Sequence, residues 1–499
     1  MKRPAAPRSA GRHPDPPLPQ LPPLLFPGRT AAEQRWLTGL KKARRIRSIG
    51  PRLYASIAQA RTAEAVRGSW MDIVARLYPD ALISYRTALE FKPTPDGEIW
   101  LTSSTNRVVS YPGLRLRFAR GPGPLPDDPK FLTLRSSSRA RAFLENLAVA
   151  RPGSRTRAVP AAALEQRLEQ ILHLEGEAAL DALRDRAHQI ADQLGWQLAY
   201  RRLEGLIGAF LGTRTGHVTS EIGRARVAGE PFDPACVARL QVLFGELHGR
   251  PLPVVVERFA TPDHVRNKAF FESYFSNYIE GTTFEIEEAA QIVFERAIPA
   301  ARPADAHDIL GTFRLVSDPV EMRTTPRDLD QLVQLLQSRH RTLMAQRPEA
   351  EPGVFKHRPN RAGDTHFVDP AYVRGTLRRG TALYLELRPG LPRAIFLMFM
   401  VSDVHPFVDG NGRIARVMMN AELVAADQST IIIPTIYRDS YLLALRALTR
   451  QRRPDPLISA LVSAQAFSNL DFTAYPAVLG ELQRRNWFHE LDEARLITS

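Results

Sequence analysis

Apolar positions recur at helical spacing through most of the second half of the chain. His264 to Tyr278 and Glu285 to Arg296 read as amphipathic helices, and Leu329, Leu332, Val333, Leu335, Leu336 and Leu343 mark one stripe of another. Leu391 to Val404 (LPRAIFLMFMVSDV) is apolar on nearly every face, which predicts a helix buried on most sides. It is too short, and too closely flanked by polar segments, to cross a membrane. A further helix pattern runs on from Gly410 through Glu422 to Ala426. Upstream, long helical patterns cover Leu164 to Leu174, Ala178 to Leu206 and Asp233 to Gly249.

The first part of the chain is patterned differently. Nine prolines fall within residues 1–28, too many for a continuous helix or ladder, so residues 1–30 read as a disordered, proline-rich arm. Residues 31–150 read as a separate module. Ala31 to Arg45 is a basic helix, and Ile46 to Ala55 is a short strand pair turning at Gly50-Pro51. Trp70 to Tyr78 has helical spacing, and strand-like runs follow at Glu98 to Leu101, Val108 to Tyr111 and Leu114 to Phe118. Residues 151–258 are expected to be a linker and a helical region, 259–470 a helical domain, and 471–499 a C-terminal tail.

Composition changes this picture little. The chain has 499 residues, 44% hydrophobic and 24% charged, which is enough for about three globular domains. Net charge is +14, which favours polyanionic partners by steering rather than by fold. The single cysteine, Cys236, excludes an internal disulfide and a cysteine-based metal centre. The basic start of the chain is followed by no apolar leader region, and no membrane-spanning run is present, so a cytoplasmic location and no membrane partner are expected.

The densest chemistry lies in His405-Pro406-Phe407-Val408-Asp409-Gly410-Asn411-Gly412-Arg413-Ile414-Ala415-Arg416. Proline pushes the residue before it out of the helical region, so His405 is presented at the mouth of a loop. A histidine there suits a base that takes a proton from an attacking hydroxyl. Phe407 reads as an anchor to the core. Asp409 is a hard oxygen ligand of the kind Mg2+ takes beside phosphates. Gly410 and Gly412 let the backbone approach an anion at a helix start. Arg413 and Arg416 are three apart and share a helix face. Together these residues describe a phosphate cradle with a base at its edge.

This stretch resembles the HxFx[DE]GNGRxxR signature of Fic-domain enzymes at every fixed position. The resemblance implies a mainly α fold: an all-helical core with a small β-hairpin flap. It implies transfer of AMP from ATP to a serine, threonine or tyrosine hydroxyl of a target protein, with His405 as base and one Mg2+ on Asp409. It further implies that Gly410, Asn411 and Gly412 approach the α-phosphate region, that Arg413 holds the β-phosphate side, and that Arg416 holds the γ-phosphate.

Ser276-Asn277-Tyr278-Ile279-Glu280-Gly281 is similar to the family's inhibitory pattern [ST]xxxE[GN]. Ser276 and Glu280 share a helix face, and Gly281 is a helix stop. In the family this glutamate pairs with the second arginine, here Arg416, and displaces the γ-phosphate. The class with an inhibitory helix ahead of the Fic core is therefore implied, with a resting state that is off. Residues 353–368 read as two extended runs around Gly363-Asp364, matching the family's target-docking flap, with Phe355, Lys356, His366 and Phe367 as its contact residues. Tyr437 and Tyr441, after the Ile431-Ile432-Ile433-Pro434 run, are placed near the adenine by the same resemblance, with core packing as the other reading.

Residues 31–150 resemble AbiEi-type antitoxin domains in pattern, a winged helix followed by a small α/β fold. DNA is the partner this implies, through the basic 31–54 segment. The leading reading is a protein adenylyltransferase auto-inhibited by Glu280. The alternatives are removal of AMP, use of another nucleotide within the family, or a DNA-binding, antitoxin-like regulator with a nucleotide-sensing core. Self-modification and a homodimer stay open as partners.

Overall fold

The computed structural model describes residues 21–28, 30–56, 59–131, 133–148, 157–214 and 217–498. The chain divides between Arg224 and Ala225 into two compact units. That boundary falls inside the 151–258 region expected as one linker and helical segment, so the region contributes to both.

In the first unit, Arg47–Gly50 pairs antiparallel with Leu53–Ala55 around the Gly50-Pro51 turn. A third strand, Leu24–Leu25, adds to the free side of Leu53–Ala55. These two leucines lie in the segment expected as a disordered arm. They are ordered because both are buried, Leu25 in a small cluster with Leu37, Leu40 and Ile46. The rest of the expected arm, residues 1–20, lies outside the described residues. The Ala31–Lys42 helix opens on a reciprocal Thr30–Glu33 capping box.

A six-stranded mixed sheet follows, ordered Arg107–Tyr111, Leu114–Arg120, Glu98–Ser103, Leu82–Ile83, Leu134–Ser136 and Lys130–Phe131. Alternation sets its faces: Leu114, Leu116 and Phe118 point into the core, while Arg115 and Arg117 reach Glu98 on the neighbouring strand. The helical run expected over Ala178 to Leu206 is two helices, Glu177–Leu194 and Gln197–Phe210. Gly195, at φ +72°, ends the first in the left-handed region.

In the second unit, the Leu391–Val404 helix is the centre of the core, with every residue from Ala394 to Val401 buried. It packs against the Asn411–Ala425 helix, and residues 405–410 join the two. The Pro262–Ile279, Pro303–Val316 and Leu329–Leu343 helices pack into the same apolar cluster. Asp403 on the central helix is buried but paired with Arg239 at 2.9 Å. Residues 471–487 of the segment expected as a tail contribute to this core. Tyr475–Arg484 is a helix, and Phe472, Val478, Leu482 and Trp487 fill the apolar cluster. No helix among the described residues is long and apolar enough to cross a membrane.

Candidate active site

The His405–Arg416 loop is shaped by the two helices it joins. His405 ends the Leu391–Val404 helix, its N–H donating to the Val401 carbonyl. Its backbone sits at φ +54°, ψ +59°, a left-handed conformation that costs a non-glycine residue about 1–2 kcal/mol. Such strain persists where the surroundings over-determine it. The ring Nδ1 stands 3.2 Å from the Ser402 carbonyl oxygen. A carbonyl only accepts, so Nδ1 carries the proton and Nε2 keeps its lone pair. Burial pushes the His405 pKa down to about 4; the Ser402 carbonyl opposes the shift and Lys356 adds to it. Phe367 stacks flat on the ring, centroids 3.6 Å apart.

Three side chains outside the signature hold the loop in place. His340 is fully buried and stacks on Phe407, centroids 3.8 Å apart. Its Nδ1 accepts from the Gly353 N–H, so Nε2 carries the proton and donates to the Asp409 carbonyl at 3.0 Å. Lys356 is buried; its N–H donates to the Pro406 carbonyl and its Nζ to Asn360 Oδ1. Asn360 in turn donates to the Phe407 carbonyl.

Within the loop, Asn411 is spent on structure. Its Oδ1 accepts from the Phe407 N–H and its Nδ2 donates to the Phe407 carbonyl, both at 2.9 Å. The α-phosphate contact expected of Asn411 therefore does not fall to its side chain, which is 1% exposed. Gly410, at φ +73°, caps the Asn411–Ala425 helix, and a Cβ there would meet Met344 Sδ at 2.9 Å. Asp409 is the exposed acid of the loop, with one oxygen accepting from the Gly410 N–H at 2.6 Å.

Both arginines are buried on one face of the Asn411–Ala425 helix. Arg413 pairs with Asp308 Oδ2 at 2.8 Å and donates to Asn277 Oδ1 at 3.3 Å; Arg347 Nε donates to the same Asp308 oxygen at 2.8 Å. Arg413 Nε is buried without a hydrogen-bond partner among the described residues. Arg416 Nε donates to Ser276 Oγ, and its Nη2 donates to the Ser276 carbonyl and to Glu280 Oε1, the last at 2.7 Å. Glu280 caps the Pro262–Ile279 helix and Gly281, at φ +92°, turns the chain away. The same Glu280 oxygen lies so close over Gly412 that a Cβ there would clash with it. A carboxylate thus sits on the first turn of the Asn411–Ala425 helix, where the helix dipole and the arginine attract anions.

The residues expected to dock a target divide. Arg361–Ala362 and Thr365–His366 form the hairpin, with His366 exposed. Phe367 covers His405 instead of facing outward. Phe355 packs on Phe407 and Lys356 braces the loop, so neither presents a free side chain to a target. Of the two readings of Tyr441, its 1% exposure and the hydroxyl against Met398 correspond to core packing. Tyr437 packs edge-on against Phe467. His340, Asn277 and Asp308 were not singled out in the sequence. Asn277 is a variable position of the Ser276–Gly281 pattern, and His340 and Asp308 lie on helices where no local pattern marks them.

The cradle fits a nucleotide and its metal. The orphaned Arg413 Nε is a donor waiting for an acceptor. The described residues contain no group of three acidic, histidine or cysteine side chains that would hold a metal alone. Mg2+ needs only one or two carboxylates when phosphates supply the other oxygens, which matches the single exposed Asp409.

Residues 328–423 match the Fic/DOC family. The protein adenylyltransferase Fic of Drosophila erecta is 25% identical over 205 residues, covering 38% of this chain and 39% of the relative. That of Drosophila melanogaster is 25% identical over 185 residues, covering 35% and 37%. The chain thus spans about two fifths of the length of these curated relatives. Among solved structures, residues 134–508 of Fic-1 from C. elegans align at 16% identity and a TM-score of 0.36, covering 64% of this chain and 97% of that one. Residues 328–423, which carry His405, Asp409, Arg413 and Arg416, are thus similar to the Fic/DOC family.

Proposed function

We propose that this chain transfers AMP from ATP to a serine, threonine or tyrosine hydroxyl of a target protein, and that Glu280 holds the activity down. The observation that supports this most is the position of the Glu280 carboxylate. It is a fixed anion over Gly412, gripped by Arg416, and it uses the donors that would otherwise bind a phosphate. The names of the relatives, adenylyltransferases, point the same way.

The chemistry follows from the side chains. His405 Nε2, free to accept, takes the proton of the target hydroxyl as its oxygen attacks the α-phosphorus. The bond from that phosphorus to the oxygen of the β-phosphate breaks, and pyrophosphate leaves. Arg413 and Arg416 offset the charge that develops on the leaving group. Asp409 would hold Mg2+, which when bound neutralises phosphate charge. The pairing of Arg413 with Asp308 and of Arg416 with Ser276 fixes both guanidinium planes before substrate arrives, so little reorganisation is left for the reaction.

The test is labelled-ATP transfer into cell lysate by the full chain, its Glu280→Gly variant, and a Glu280→Gly, His405→Ala double variant. The reading expects α-labelled ATP to mark protein strongly with Glu280→Gly, weakly with wild type, and not with the double variant. Transfer of a γ-label instead of an α-label would overturn it.

A further inference from the structure

A second cavity lies in the Ala225–Ser499 unit, away from the His405 loop, with a volume of about 350 Å³. That is within the size range of small-molecule sites. The Pro262–Ile279 helix forms one wall through His264, Val265, Lys268, Ala269 and Glu272. The segment around Val256, bridged to Gln428, closes the other side. Most of the lining is apolar, including Phe259, Val316, Met322 and Val424.

Its polar groups are incompletely satisfied. His264 is 1% exposed; its Nδ1 accepts from the Phe472 N–H at 3.1 Å, so Nε2 carries the proton. That Nε2 stands 3.6 Å from Glu257, beyond a direct hydrogen bond, and has no other partner among the described residues. Thr430 Oγ1, also buried on the lining, has none. Lys268 is committed: its Nζ bonds Glu257 at 2.5 Å and Ser429 Oγ at 2.8 Å. Glu272 is 7% exposed, lines the cavity, and makes no ion pair among the described residues. Burial pushes its pKa up to about 7, against weaker opposing effects of Asn420, Lys268 and Arg416. A buried carboxyl without a counter-ion costs stability unless something fills the role. Thr430 Oγ1 can accept from a ligand N–H, while the unpaired His264 N–H needs an acceptor such as an ordered water.

We propose that this cavity is a binding site for a small amphipathic amine, its ammonium paired with Glu272 and its apolar body against Val265, Ala269, Met322 and Val424. Lys268 already has its carboxylate in Glu257, so the charge left without a partner is negative, and the ligand head must be positive. An alcohol of the same shape gains only the apolar contacts, and a carboxylate is repelled. The site differs from the nucleotide cradle in place and in charge preference. Glu272 lies one turn before Ser276 on the helix that ends in Glu280, so the two sites share one rigid element.

Isothermal titration of the full chain at pH 8 with 2-phenylethylamine, 2-phenylethanol and 3-phenylpropionate tests this. The expected result is one amine bound per chain, at least tenfold tighter than the alcohol, with no binding of the carboxylate. Glu272→Gln should weaken the amine at least tenfold and leave the alcohol unchanged, while Ala269→Leu, which fills the cavity, should abolish both. Circular dichroism and melting temperature identify variants that fail to fold. A structure of the wild-type protein soaked with the amine gives the answer without any variant. Density against Glu272 supports the site, and density elsewhere or none overturns it. Equal affinity for amine and carboxylate, or amine binding indifferent to Glu272→Gln, also overturns it.

Discussion

Glu280 Oε1 accepts from Arg416 Nη2 at 2.7 Å while lying directly over Gly412. One acid therefore uses two attractions at once, a guanidinium and the positive end of a helix, and both are features a phosphate needs. Removing the carboxylate should raise AMP transfer. Glu280→Gly is expected to increase the initial rate by roughly 5–150-fold, the span that 1–3 kcal/mol of competition gives. Glu280→Gln, which keeps the shape and loses the charge, should fall between. Rates measured with α-labelled ATP check this, and three equal rates would show that Glu280 does not compete.

Gly412 gives an independent handle on the same contact. A methyl group at this position meets the Glu280 oxygen first, with Arg416 Nη1 next at 3.3 Å. Gly412→Ala should therefore lower the melting temperature of the wild-type chain, yet cost less in a Glu280→Gly background where the clashing oxygen is gone. The double-mutant cycle should show a coupling of about 0.5–3 kcal/mol, as for residues in contact. Additive losses would mean that Glu280 moves aside at no cost.

His340 sets the height of the loop through the Asp409 carbonyl and the Phe407 ring. His340→Gln leaves the Gly353 N–H or that carbonyl unsatisfied and removes the stack, at a cost of about 1–3 kcal/mol. The cost should depend on pH. Burial holds the His340 pKa down to about 4, against an ordinary 6.5 in the unfolded chain. Below 6.5 the unfolded state gains a proton that the folded state refuses, so the stability His340 contributes is present above pH 6.5 and is lost as pH falls toward 4. The stability gap between wild type and His340→Gln, from urea melts, should shrink across that window. A constant gap would show that the ring titrates normally.

Much of the site was legible because its working residues are contiguous. His405 to Arg416 place the candidate base, the exposed acid and both arginines in one run, and the glycines mark where backbone comes close. Ser276 and Glu280 were legible through spacing and the resemblance. The supporting residues were not, because Asn277, Asp308 and His340 reach the loop from three separate helices, and no local pattern records a tertiary contact. Tyr441 had two readings in the sequence, and its side chain is buried against Met398. In the fold, helical periodicity found the Leu329–Leu343 and Leu391–Val404 helices but missed Pro303–Val316 and the break at Gly195. It also missed the C-terminal core, because Phe472 and Trp487 sit outside any long periodic run.

His405 is the base of the proposed reaction. His405 is held neutral by burial, and part of that burial is the Phe367 ring lying flat on it. With Nδ1 tied to Ser402, protonation falls on Nε2, the atom the proposed reaction needs free. In the nucleotide-free chain, a histidine-labelled NMR titration should place the His405 midpoint near 4. Phe367→Ala uncovers one ring face, lets water solvate the imidazolium, and should move the midpoint up toward the ordinary 6.5. Activity should follow with the same sign. In a Glu280→Gly background, kcat/KM should hold its value below pH 6.5, and adding Phe367→Ala should shift the acid limb to higher pH. A His405 midpoint near 6.5 in the wild-type chain, or one unmoved by Phe367→Ala, would show that the hairpin aromatic does not tune the base.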